Sequence, residues 1–147
     1  MTDHVVSTTV RVAGPAARIW EAITNPEALA EWYAPGCRWE IPELGVGATL
    51  RFFNADTEVQ SAVIERCDPP KELILRWTPD SSLPQTQLVN TYTIRPLGDE
   101  CEVTLSQTGY ASVPIDQRAS WIQADESAFP AIVAALAAYV ARQMRPA

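Results

Sequence analysis

The sequence of 147 residues contains one histidine, two methionines and three cysteines. His4 lies near a terminus that we expect to fray, which leaves its side chain in water. A histidine-ligated zinc site and a serine protease-type triad both need a firmly held imidazole, so we expect neither. Cys37, Cys67 and Cys101 include no C-x-x-C pair. Their odd number and wide spacing indicate reduced thiols and a cytoplasmic location rather than a disulfide framework.

Positive charge is also scarce, because 11 Lys and Arg residues stand against 18 Asp and Glu residues, for a net charge of −7. Binding to nucleic acid or to anionic lipid needs a positive surface, so we predict no nucleic-acid partner. No apolar run approaches the roughly 20 residues of a membrane-spanning helix, and the longest is the Ala-rich segment 131–141. We therefore predict no membrane insertion, and the N-terminus lacks the pattern of a secretory signal.

The sequence does contain enough apolar material for one core. Hydrophobic residues make up 47% of the chain and charged residues 20%, which is typical of a globular domain. The length suits a single domain, which we expect to span residues 1–147. No internal repeat or low-complexity segment divides it.

The N-terminal third predicts one strand followed by two short helices. Segment 5–12 alternates weakly and is rich in β-branched residues, which indicates a strand. Segment 15–24 has helical apolar spacing and begins with a proline, which the first turn of a helix tolerates. Asn25 caps a second helix with Pro26 in its first turn, and Pro35-Gly36 ends it.

The middle of the chain changes to the two-residue period of strands. Turn clusters separate six apolar or alternating segments, and short connections between consecutive strands predict antiparallel pairing. The predicted strands are 37–41, 48–54, 58–67, 72–77, 87–95 and 100–108. The longest irregular piece, "TPDSSLPQT", is the best candidate for a mobile loop.

The helical period returns in the last third. Apolar residues recur at three- and four-residue steps from Phe129 to Met144, which indicates a long amphipathic helix. Pro130 leaves two alternatives: a fresh start capped by Asp125 or Ser127, or a kink. We expect a continuous axis whose regular part begins near Asp125, with a shorter helical piece before it. The order of elements predicts an α+β fold, with a curved antiparallel sheet of six to seven strands around the last helix.

Four stretches resemble the SRPBCC superfamily with its helix-grip (START/Bet v 1-like) fold, and within it the AHSA1-like branch. They are "VRVAGPAARIWEAITNPEALAEWYAP", "VIERCDPPKELILRW", "NTYTIRPLGDECEVTLSQTGY" and "WIQADESAFPAIVAALAAYVARQ". The resemblance covers about residues 5 to 142 and rests on turns, caps and core aromatics. It implies a fold in which two short helices close the open end of the sheet.

The resemblance implies less about function. Members of the superfamily bind hydrophobic ligands between sheet and helix, some are cyclases or hydrolase-like enzymes, and the eukaryotic Hsp90 activator stimulates a chaperone. Since that activator's N-terminal domain is not part of this sequence, we do not expect a chaperone role.

Two amides interrupt apolar rows that we predict to face inward. Asn90 lies between Leu88 and Tyr92, and Gln107 follows Leu105 by two positions. A buried amide without a partner costs about 1–3 kcal/mol, so each must form hydrogen bonds. These bonds are either structural, or they orient the polar group of an otherwise apolar ligand.

The aromatic residues have the same two interpretations, since plain core packing also explains each of them. The predicted ligand-binding residues are Trp32, Tyr33, Phe52, Trp77, Asn90, Tyr92, Gln107, Trp121, Phe129 and Val133. Arg51, Asp56, Glu58, Glu65 and Arg76 could include an acid and a base near a cavity mouth. Glu65 is more simply a solvated turn residue, and we assign no catalytic residue, metal ligand or cofactor.

These observations favour a protein that binds a small hydrophobic or amphipathic molecule in a cavity between the sheet and the last helix. The alternatives are a polyketide-cyclase-like enzyme acting on such a ligand and a co-chaperone or interaction module. We expect a monomer or a homodimer. A buried, hydrogen-bonded carboxylate in the cavity would favour chemistry over carriage.

Overall fold

The computed structural model describes residues 3–144, so both ends of the predicted 1–147 domain lie outside the described residues. Seven strands, three α-helices and one short 3-10 helix follow one another along the chain. In order they are β1 (Val6–Ala13), α1 (Ala16–Thr24), α2 (Pro26–Trp32), β2 (Arg38–Glu40), β3 (Thr49–Asn54), β4 (Thr57–Asp68), β5 (Glu72–Trp77), β6 (Val89–Leu97), β7 (Glu100–Thr108), the 3-10 helix Tyr110–Ser112 and α3 (Ile115–Gln143).

The strands form one sheet in the order β1-β7-β6-β5-β4-β3-β2, and every neighbouring pair is antiparallel. Strand β1 pairs with β7, although α1, α2 and five strands lie between them in the sequence. The predicted α+β helix-grip class is confirmed, with the two short helices between the first and second strands.

The first two helices start at or next to the residues that the sequence indicated. Pro15 occupies the position before α1, and the side chain of Asn25 caps α2. The Asn25 Oδ1 atom accepts hydrogen bonds from the backbone N–H groups of Glu27 (2.9 Å) and Ala28 (3.2 Å). These groups have no partner within the helix, so the cap stabilises its first turn.

The inward faces of the central strands follow the two-residue period of the sequence. Strand β5 buries Leu73, Leu75 and Trp77, and β7 buries alternate residues from Cys101 to Gln107. In β3 the buried aromatic is Phe52, and the register shifts between it and Phe53.

The last helix differs from the expectation, because α3 is one helix from Ile115 to Gln143 with Pro130 inside it. The regular part does not begin near Asp125; it begins ten residues earlier, after Pro114. Pro130 has no N–H to donate to the carbonyl of Glu126, but one lost bond does not end a helix whose other side chains pack well.

One face of α3 is buried through Phe129, Val133, Leu136 and Val140. The helix is long and apolar enough, by length and composition alone, to cross a membrane. A core helix passes the same test, and the buried face of α3 packs in the hydrophobic core of the domain.

The sequence position of Glu65 suggested a turn, but this residue lies on a strand. Strand β4 continues to Asp68, because Cys67 and Asp68 still pair with Leu73 and Glu72 of β5. Glu65 therefore lies on a strand, where its Oε1 atom accepts a hydrogen bond from Arg76 Nε at 2.6 Å.

Candidate functional site

A pocket of about 550 Å³ lies between the sheet and the first half of α3. We call it the main pocket. Its lining residues come from the end of α2, from β4 to β7 and from α3: Tyr33, Gln60, Trp77, Leu88, Asn90, Leu105, Gln107, Ser120, Trp121, Ala124, Asp125, Ala128, Phe129 and Ile132. Its volume falls within the range of about 300–1,000 Å³ that is usual for small-molecule sites.

The path of α3 explains why this space is open. The α3 backbone runs close to β1 at one edge of the sheet and also contacts α1, α2 and β7. Strands β4 to β6 face the helix from further away, across the main pocket. The sheet interior is therefore filled by side chains at one edge and left open over its middle.

Strand register places the two interrupting amides side by side. Asn90 of β6 pairs directly with Gln107 of β7, and both side chains are buried on the face that lines the main pocket. Asn90 Nδ2 donates to Gln107 Oε1 at 2.6 Å. Trp77 of the next strand donates its indole N–H to Asn90 Oδ1 at 2.7 Å.

The row continues from the sheet to α3. Gln107 Nε2 donates to Asp125 Oδ2 and to the hydroxyl oxygen of Tyr110, both at 2.8 Å. The Tyr110 hydroxyl in turn donates to Asp125 Oδ2 at 2.7 Å. We call the set Trp77, Asn90, Gln107, Tyr110 and Asp125 the polar row.

The ends of the polar row fix the orientation of both amides. The indole of Trp77 can only donate, so it must face the oxygen of Asn90. This turns the Asn90 amino group toward the Gln107 oxygen, and the Gln107 amino group toward Asp125. In each hydrogen bond of the row, the donor is therefore the group that lies further along the row from the Asp125 carboxylate.

A tight turn holds Tyr110 in place. Gly109 has a φ of +102°, and a Cβ atom built on it would lie 1.9 Å from the carbonyl oxygen of Gln87. Only glycine fits both the left-handed backbone and this close approach. The Asp3 carboxylate accepts from the backbone N–H groups of Gly109 (2.6 Å) and Ala111 (3.0 Å).

The tyrosines around the pocket are held in their protonated form. Burial, and to a lesser extent the negative charge of Asp125, raises the pKa of Tyr33 to about 12. Burial, followed by its hydrogen bond to Asp125, raises the pKa of Tyr110 well above the usual value for a phenol. Both hydroxyl groups can therefore act as donors throughout the physiological range.

Six of the ten predicted ligand-binding residues line the main pocket: Tyr33, Trp77, Asn90, Gln107, Trp121 and Phe129. The other four are buried outside its lining. Tyr92 and Val133 lie in the core. Trp32 donates its indole N–H to the carbonyl of Ala22 at 2.8 Å, which turns it toward α1.

Phe52, the fourth, belongs to a row of aromatic rings that connects α2 to the sheet. Its ring stacks on Trp39 at a centroid distance of 4.5 Å and meets Trp77 edge-on at 6.3 Å. Tyr33 meets Trp39 edge-on at 5.3 Å and Trp32 at 5.6 Å. Phe52 thus supports the pocket wall from behind, whereas Trp32 and Tyr33 also line a separate pocket of about 340 Å³ beside α3.

The sequence interpretation missed the acidic end of the polar row. The sequence patterns suggest Asp125 only as a helix cap, and they give Tyr110 no role. A signal was present, because Trp121, Asp125 and Phe129 follow one another at four-residue steps. Once α3 is extended back to Ile115, this spacing places all three on one helix face.

The other charged candidates lie away from the pocket. Arg51 and Glu58 approach to 3.5 Å, and Arg76 bonds to Glu65, on exposed strand surface. Neither these residues nor Asp56 line the main pocket. Within residues 3–144 there is no cluster of three or more metal-ligating side chains.

The sequence also matches the model of a known protein family. Residues 13–141 match the model described as Activator of Hsp90 ATPase homolog 1-like protein. The chain belongs to this family. The match begins at the end of β1 and includes nearly all of α3, so it covers the whole of the main pocket.

Solved structures share the fold of this family member at low sequence identity. The protein MLL2253 from Mesorhizobium loti is 19% identical, with a TM-score of 0.77 over 95% of this chain and 98% of that one. DynU16, titled a putative protein in the dynemicin biosynthetic locus, is 21% identical, with a TM-score of 0.72 over 95% of this chain and 48% of that one. The Aha1 dimer from Colwellia psychrerythraea is 11% identical, with a TM-score of 0.71 over 91% and 93%.

At these identities the likeness shows the fold alone. A search of the curated proteins finds no significant match.

Proposed function

We propose that this protein binds a small amphipathic molecule in the main pocket. The observation that supports this most directly is the division of the pocket into an apolar wall and a polar end. Trp77, Trp121 and Phe129 supply much of the wall, and the polar row ends on Asp125. Ligand sites commonly combine apolar walls with a few fixed polar groups that orient the ligand.

The binding energy would come mainly from apolar burial, at about 25 cal/mol for each Å² removed from water. The polar row supplies direction, because its side chains already bond to one another and need not reorganise when a ligand arrives. Groups fixed in advance lose little entropy on binding.

Filling the pocket tests this proposal. Ala128 lines the main pocket on α3, and Ala134 is an exposed alanine on the same helix. We expect Ala128→Trp to weaken binding of Nile red, a neutral apolar dye, by at least about tenfold, since the indole occupies ligand space. Ala134→Trp should bind as the wild type does, and equal affinity of all three proteins would contradict the proposal.

A second candidate is acid–base chemistry on the bound molecule, because Asp125 is a hydrogen-bonded carboxylate in the pocket. A general base must be fixed within reach of the proton that it takes. The structural neighbour DynU16 is described as part of a biosynthetic locus, which is consistent with an enzymatic role. The test is hydrogen–deuterium exchange at the acidic carbon of benzoylacetone. If the protein catalyses proton transfer, the wild type should accelerate this exchange and Asp125→Asn should not.

We further propose a cytoplasmic location, which the unpaired Cys37, Cys67 and Cys101 support. The protein would act as a monomer or a homodimer, and the dimer of the Colwellia structure is consistent with the second possibility.

A further inference from the structure

Asp125 has no cationic partner in the part of the chain that the structure describes. The main pocket is lined by no Lys, Arg or His, and Asp125 forms no salt bridge within residues 3–144. The basic side chains of neighbouring segments have other partners. Arg118 donates to the carbonyl oxygens of Ala111 and Val113, and His4 contacts Glu126.

The carboxylate also has an unused acceptor. Gln107 and Tyr110 both donate to its Oδ2 atom. No side chain or backbone N–H of residues 3–144 donates to Oδ1. A carboxylate oxygen accepts strong hydrogen bonds from a charged donor, and such bonds are about twice as strong as those between neutral groups.

Aromatic rings share the pocket with this carboxylate. Tyr33, Trp77, Trp121 and Phe129 all line it. Aromatic faces attract organic cations, and tryptophan does so most strongly. A carboxylate beside aromatic rings, without a protein cation, suits a positively charged group attached to an apolar body.

We propose that the ligand class of the main pocket is the amphipathic amine in its protonated form. The ammonium group bonds to Asp125 Oδ1, and the apolar body lies along Trp77, Trp121 and Phe129. This inference rests on the proposed binding function and specifies which molecules it concerns. A carboxylate ligand such as a fatty acid would instead meet the like charge of Asp125 with no cation to offset it.

The test is calorimetric titration with three para-substituted biphenyls of similar shape: biphenylmethylamine, biphenylmethanol and biphenylacetate. We expect the amine to bind at least about tenfold more tightly than the alcohol, and the carboxylate to bind most weakly. Asp125→Asn should reduce the affinity for the amine to that for the alcohol. Its melting temperature is measured alongside, and the ranking of the three probes by the wild-type protein decides the question if this variant does not fold.

Glu126→Gln is the matched control, because it removes the same charge from the next residue, whose side chain is exposed. It should retain the preference for the amine, which excludes a general attraction of cations to an acidic protein. Equal affinity for amine and alcohol would overturn the amine inference while leaving pocket binding intact. If none of the three probes and no Nile red binds, the proposed function itself is wrong.

Discussion

The side chain of Gln107 connects the sheet to the last helix. It accepts from Asn90 and donates to Tyr110 and Asp125, so three polar groups depend on one buried amide. A buried polar network stabilises a structure only when all its members are satisfied. The polar row should therefore be sensitive to the loss of this one residue.

Gln107→Leu tests this dependence at the residue scale. Leucine is apolar and of similar size, and it leaves the Asn90 amino group without its acceptor. We expect the free energy of unfolding to fall by about 1–3 kcal/mol, as measured by urea denaturation. Ser106→Ala, on the adjacent and less buried position of β7, should change it by less than about 0.5 kcal/mol.

A loss for Gln107→Leu no larger than that of its control would show that the row contributes little to stability. Asp125 would then be held by the packing of α3 alone.

The connection between β7 and α3 brings the polar row together at the scale of secondary structure. Gly109 turns the chain so that Tyr110 follows Gln107 on the buried side, and Asp3 bonds to the backbone of the same turn. The following helix, which begins at Ile115, then supplies Asp125. A distortion at Gly109 should affect both the fold and the pocket.

Substitutions at two glycines with positive φ distinguish the cost of backbone strain from the cost of a steric clash. An added Cβ at Gly98 meets nothing within 4 Å, whereas at Gly109 it lies 1.9 Å from the Gln87 carbonyl oxygen. We expect Gly98→Ala to cost about 1–2 kcal/mol for the left-handed conformation. Gly109→Ala should cost clearly more, or prevent folding, because backbone atoms must also move.

The denaturation midpoints in urea compare these two variants directly. Equal midpoints would mean that the turn relaxes easily, and that Gly109 does not fix the position of Tyr110.

Sequence patterns predicted the elements well because they are local. The Asn25-Pro26 start, the alternation in β5 and the apolar stripe of α3 each follow from a few neighbouring residues. The predicted start of α3 near Asp125 was wrong. Pro130 is a strong local signal for a break, whereas packing over the whole helix decides the length of the helix.

The polar row could be predicted only in part. The inward position of Asn90 and Gln107 follows from alternation, and so does their need for partners. Their direct pairing depends on strand register, and Asp125 reaches them from a separate helix. Such contacts between distant segments are set by the tertiary packing and leave little trace in local periodicity.

Tyrosine ionisation provides a test at the scale of the whole molecule. The protein has four tyrosines, and burial is the leading cause that raises the pKa of each one, Tyr33 to about 12. Unfolded tyrosines lose their protons near the ordinary pKa of about 10. Above that pH the unfolded state therefore binds fewer protons than the folded state, and stability falls as pH rises.

We expect the stabilising contribution of Tyr33 to be complete below about pH 10 and to be lost as the pH rises to about 12. Thermal melts across this interval measure the loss, which should be smaller for Tyr33→Phe than for the wild type. Identical slopes for the two proteins would show that the Tyr33 hydroxyl is not shielded from water.

The central claim is that a small molecule binds between the sheet and the first half of α3. The five indole N–H signals of the tryptophans provide a direct test in a two-dimensional ¹H–¹⁵N spectrum. Titration with the tightest-binding biphenyl probe should move the signals of Trp77 and Trp121, which line the main pocket, and leave those of Trp20 and Trp32 in place. No movement of Trp77 and Trp121, or movement of Trp32 alone, would contradict the account.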